Sequence, residues 1–163
     1  MGVTVTKDRL ADVLKSMHDL VKKEVLIGIP ESEDARNQRE ADGSPLGNAA
    51  IGYIQETGSP ANNLPARPFL VPGVEAALKP ATAKLKAGAA KALDGQLDAG
   101  DKAMHAAGLI AQNAVRAKIN SGVPPALAES TLANRRRRGR TGTTPLIDTG
   151  QLRNAVTYVI REK

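Results

Sequence analysis

Apolar residues recur at helical spacing first between Lys7 and Val21, where Leu10, Val13, Leu14, Met17 and Val21 fall at offsets 0, 3, 4, 7 and 11. That stripe predicts an amphipathic helix, with Thr6 placed to cap it and Asp8 near the positive end of its dipole. The run Val25-Leu26-Ile27-Gly28-Ile29 is stopped by Pro30 and carries apolar residues on both faces, which predicts a strand covered on each side. Glu31 to Gly47 offers Glu, Asp, Arg, Asn, Gly and Ser with one Leu, so it reads as a mobile loop (31–47) with no core face. Asn48 is placed to cap a short helix that puts Ala50, Ile51, Ile54 and Thr57 on one side, and Gly58 supplies the left-handed residue that ends it.

Three prolines in the ten residues Ser59 to Pro68 exclude a helix there. Beyond them Val74, Leu78, Ala81, Leu85 and Leu93 keep a helical stripe, which Pro80 is expected to kink or divide. A second long helix, about Asp98 to Asn120, places Met104, Gly108, Ala111, Val115 and Ile119 on one face. The two are expected to pack as a hairpin across Asp94-Gly95. Ser121 to Asp148 is poor in apolar residues and reads as a second long mobile loop (121–148), with Leu127 to Leu132 the one stretch suited to a helical turn. The chain closes on Val156, Tyr158 and Ile160, spaced as one face of a strand that pairs with Val25 to Ile29. The order predicts one α+β domain over 1–163: a small antiparallel sheet packed against several helices, including a long helical hairpin, with two long loops.

Composition narrows this picture. The chain has 163 residues and a net charge of +6, yet removing Arg135, Arg136, Arg137, Arg138 and Arg140 leaves 18 basic residues against 17 acidic, a balance of +1. One segment carries nearly all the excess. Cysteine is absent, which excludes disulfide frameworks and thiol catalysis. The first twenty residues lack the apolar run of a signal peptide or a membrane span, so a soluble protein with no membrane partner is expected. Tyr53, Phe69 and Tyr158 are the only aromatics. A core of Ala, Leu, Val and Ile buries little area per residue, and folding completed by neighbouring subunits is anticipated.

Catalytic chemistry has few candidates. His18 and His105 are far apart and read as partly exposed helix histidines, and the phosphate-loop, nucleophile-elbow and zinc-helix motifs are missing. Glu31, Glu33, Asp34, Glu40 and Asp42 lie in a segment with no apolar wall to raise a carboxyl pKa. No enzyme, cofactor or metal is expected. The arginine run has three readings: a DNA phosphate contact, a clamp on an acidic protein, or a solvated loop. Nothing around it has the pattern of a recognition helix or of stacking aromatics.

Two motifs carry a resemblance. Ile54-Gln55-Glu56-Thr57-Gly58 followed by Leu64-Pro65-Ala66-Arg67-Pro68-Phe69-Leu70, and then Pro145-Leu146-Ile147-Asp148-Thr149-Gly150-Gln151-Leu152-Arg153-Asn154, resemble the paired signatures of the tail-completion and virion-morphogenesis proteins of tailed bacteriophages. Their order and the long helices between them agree with that family, and the likeness spans about Val25 to Ile160. It implies a structural virion protein at the head-tail junction, a tail-terminator-like ring assembled in the host cytoplasm. The ring would most often have six subunits, with head-tail connector and tail tube proteins as neighbours and genomic DNA in its lumen. The alternative is a basic nucleic-acid-binding protein acting through Arg135 to Arg140. The motif residues also have a structural reading. Gly58 ends a helix, the prolines stiffen its exit, Phe69 anchors the next helix and Arg67 is left to pair with a carboxylate. Asp148 and Thr149 then supply turn and capping groups before a helical turn at Gln151.

Overall fold

The structure, a computed structural model, describes residues 10–31 and 47–163. Helix α1 (Leu10–Lys22) runs straight into β1 (Lys23–Gly28), and after the undescribed residues come α2 (Asn48–Thr57), α3 (Leu70–Leu93), α4 (Ala99–Asn120), α5 (Glu129–Arg137), α6 (Gln151–Ala155) and β2 (Thr157–Glu162). The fold is α+β. The two strands pair antiparallel, with Val25 opposite Ile160, Leu26 opposite Val159 and Ile27 opposite Tyr158.

Helices α3 and α4 form the expected hairpin, and glycine lets them approach. A Cβ at Gly73 would lie 2.6 Å from the Val115 Cα, and one at Gly88 would lie 2.1 Å from the Ala103 Cβ. The hairpin turns through Gly95 at φ 94°. Tyr158 of β2 lays its ring over Gly108 of α4, where a Cβ would come within 2.3 Å of Cδ2. The main core gathers Phe69, Val115, Ile119, Val123, Leu152 and Val156, joined by half-buried Ile27, Ile29, Ile51 and Leu146. Both motif segments therefore reach one core, through Phe69 and Leu152.

Several expectations are revised by packing. Helix α1 exists, but Leu10, Leu14, Met17 and Val21 are exposed, while Ser16 is buried and Val13 half-buried. The predicted cap Thr6 and Asp8 lie outside the described residues, as does nearly all of the 31–47 loop. The strand is covered on one face only, because α4 packs on the side that carries Lys23 and Tyr158 and leaves Leu26 exposed. In α3 the buried line is Gly73, Ala77, Gly88 and Ala92, with Leu78 and Leu93 outside. Close helix contact selects the small residues over the large ones. Pro80 does not divide α3, which runs unbroken with the proline on its exposed side. The loop read over 121–148 contains a nine-residue helix, α5. With Leu132 as its one large apolar residue, α5 has no periodicity to detect. Its support is local: Glu129 in the first turn and Arg135, Arg136 and Arg137 in the last match the helix dipole.

Candidate functional site

The connector between α2 and α3 is built on hydrogen bonds from backbone to side chain. Gly58 ends α2 at φ 78°, and a Cβ there would lie 2.8 Å from the Ala66 nitrogen, so the returning chain packs against it. Glu56, two residues earlier, reaches over to α3. Its Oε2 accepts from the amides of Phe69 (2.6 Å) and Leu70 (2.8 Å), and its Oε1 accepts from that of Val71 (3.0 Å). Pro72 has no N–H, so these three are all the amides that open α3 without intrahelical partners, and the carboxylate also faces the positive end of the dipole. The cap for α3 thus comes from thirteen residues upstream. Phe69 is seated in the core directly below it.

Arg67 is buried, and its partners are backbone carbonyls rather than the carboxylate expected from the sequence. Nε donates to the Pro125 oxygen at 2.9 Å and Nη2 to the Ala126 oxygen at 3.1 Å, just past the cis Pro124-Pro125 bond. Two further arginines act the same way. Arg116 of α4 donates to the carbonyls of Asn154 (3.2 Å) and Val156 (2.8 Å), which fixes the junction of α6 and β2. Arg135 donates through Nη1 to the carbonyls of Gly142 (2.8 Å) and Thr144 (3.2 Å). Irregular segments carry carbonyls with no ladder partner, and a guanidinium with five donors satisfies two at once.

Arg135 thereby leaves the set of contact arginines. It is buried, with Nε 3.5 Å from Asp148 Oδ1, and Arg140 pairs with the same carboxylate. Asp148 bridges two arginines instead of capping α6, whose start has no side-chain cap and is led by Gly150 at φ 81°. Leu146 sits at φ 65°, a conformation unfavourable for a γ-branched residue, within the turn that these bonds hold. What remains open to solvent is a short triplet on the end of α5: Arg136, paired with Glu129 at 3.1 Å, Arg137, which bonds Asn134, and Arg138.

The two motif segments face each other across a cleft of about 510 Å³, with Gln55, Leu64 and Arg67 on one side and Leu146, Asp148 and Leu152 on the other. Pro65 and Pro68 are exposed, and the Thr57 hydroxyl donates to the Tyr53 carbonyl at 2.9 Å. Elsewhere, His105 Nδ1 lies 3.0 Å from the Tyr158 hydroxyl with the rings edge to face, and Lys23 pairs with Asp101 at 2.7 Å. Lys102 hydrogen-bonds Asp98 at the start of α4 and holds that carboxyl below its usual range, remote from the cleft. Among the described residues no three potential metal ligands gather, and no helix is long and apolar enough to cross a membrane. No protein-family model, curated protein or solved structure matches the chain.

Glu56 and Arg116 are the parts that sequence reasoning placed imperfectly. Glu56 belonged to the motif, but its role as a distant cap has no local signal. Arg116 lies one position after Val115 in α4, and only the chain folding back gives it carbonyls to bind.

Proposed function

We propose that this protein is a structural component of the head-tail junction of a tailed bacteriophage, a subunit of a tail-completion ring that works by assembly rather than catalysis. The observation that carries the reading is the convergence of its two motif segments. Residues 56–69 and 145–152 are separated by the whole hairpin, yet they share a core and a cleft, as a paired signature should if both halves define one surface. In this reading the motif residues Glu56, Gly58, Arg67, Phe69, Asp148 and Leu152 shape the subunit, and the contacts to neighbours come from its exposed groups. The arginine triplet on α5 is one of these. Repeated around a ring, Arg136, Arg137 and Arg138 would make a basic band suited to an acidic neighbouring protein.

The experiment is removal of the gene from the phage or prophage that carries it, with complementation in trans. Unjoined heads and tails in the electron microscope, rejoined on complementation, are expected. Normal yields of complete particles overturn the reading. Exposure of the same triplet supports a second reading, a nucleic-acid-binding protein. Strong binding of generic duplex DNA by the single chain, weakening steeply with salt, would favour it, and weak binding by the free chain fits the assembly protein.

A further inference from the structure

We infer that the exposed apolar stripe of α1 is a self-association surface, on which a second copy of this chain lays its own α1 antiparallel. Leu10, Leu14, Met17 and Val21 are 63, 56, 48 and 73 % exposed, while the helix rests on the rest of the fold through Val13 and Ser16. At 3.6 residues per turn the resting side is roughly a quarter turn away from the stripe. A helix free to choose by burial alone would turn its large apolar side chains inward and leave the serine in water. This orientation leaves the stripe available to a partner.

The spacing points to the occupant. A two-fold contact requires a patch complementary to itself, so that each residue meets a partner residue in both directions. The stripe is spaced 4, 3 and 4, which is unchanged on reversal. Two antiparallel copies therefore put Leu10 opposite the partner subunit's Val21 and Leu14 opposite the partner subunit's Met17, the 3-4 alternation of a short coiled-coil seam. The flanking residues on the solvent side, Ala11 and His18, bring no carboxylate, lysine or arginine to the seam, and Asp12 and Lys15 lie further round the helix. Like charges are not forced together.

Area sets the strength. From their fractional exposures, the four side chains leave on the order of 400 to 500 Å² to water, as large as the biggest patch on a typical monomer, about 300 to 600 Å². Leu26 on β1, the strand that α1 runs into, and Val159 opposite it on β2 form a further exposed apolar pair. Even so the seam falls short of the roughly 800 Å² per partner of a strong, permanent interface. The expected dimer is accordingly a reversible one, with a dissociation constant on the order of 10 μM. This does not rest on the phage reading, and purified chain alone tests it.

Sedimentation equilibrium of the full chain, from about 1 to 500 μM, should show the mass rising from that of one 17.1 kDa chain toward two. Leu14→Glu should weaken the association about 100-fold, because the pairing would bury an unpaired carboxylate. Its circular dichroism and melting at low concentration should match the parent, since Leu14 is exposed in the single subunit. The register has its own test, made clean by the absence of cysteine. Leu10→Cys mixed with Val21→Cys should oxidise to a mixed disulfide faster than either variant oxidises with itself. The antiparallel pairing brings those two positions within bonding reach, but holds Leu10 roughly 16 Å along the axis from its own copy. A wild-type chain of single mass at every concentration overturns the inference, as it would if another protein were the occupant. So does a larger assembly whose mass is indifferent to Leu14→Glu, or faster self-oxidation of Leu10→Cys.

Discussion

The connector end of the molecule and its first helix invert the ordinary distribution of side chains, in opposite directions. At the connector, Arg67 and Arg135 are inside and Glu56 is folded over a helix start, while in α1 three of the four stripe residues that could have filled a core are more than half exposed. The reason is the same in both places. Burial is decided by what the neighbours need, and the neighbours of Arg67, Arg116 and Arg135 are turns full of unpaired carbonyls, which apolar residues would leave unsatisfied. The neighbour of α1 is the α3–α4 hairpin, whose helices are rich in alanine. An aromatic-poor chain thus holds its irregular half with guanidinium groups, and leaves apolar area exposed on its regular half.

The sharpest way to break the contrast is at the point where the connector meets the core. Phe69→Ala, which empties a fully buried site at the centre of the main core, should cost about 3 to 5 kcal/mol in urea denaturation. A loss under ~1 kcal/mol would mean the connector is held by its polar bonds alone. Next comes Glu56→Ala, expected to cost about 2 kcal/mol by freeing three amides at the start of α3, with Glu56→Gln losing about half as much because one oxygen acceptor remains. Equal losses from the two would assign the effect to packing rather than to the cap.

The arginine run then separates by burial rather than by sequence. Arg135→Gln should cost on the order of 1 to 3 kcal/mol, since the carbonyls of Gly142 and Thr144 lose their donor. Changing Arg136, Arg137 and Arg138 together to Gln should stay within about 0.5 kcal/mol of the parent. If the triple variant is the less stable, the division of the run is wrong. Least of all, Leu14→Ser should leave the stability of the single chain within about 0.5 kcal/mol when measured below the association range. A larger loss would show that α1 uses its stripe within the subunit.

Periodicity was enough to place α1, α4 and the two strands, because each depends on residues a few positions apart and on the alternation that a helix or a strand imposes on them, while the hairpin and the pairing of the first strand with the last followed from the order of those elements along the chain. It also located Met104, Gly108, Ala111, Val115 and Ile119 on the buried face of α4. It gave only a helical turn within Leu127 to Leu132 where α5 runs on to Arg137, because those nine residues carry one large apolar side chain, and it read the arginine run as five equivalent charges. Which side of α1 faces inward, which of those arginines is buried, and that Glu56 caps a helix beginning fourteen residues later were decided when the chain folded back on itself. Those outcomes depend on carbonyls and surfaces contributed by segments remote in sequence, such as 125–126 for Arg67 and 142–144 for Arg135. A local pattern contains no term for a partner that arrives from fifty-eight residues away.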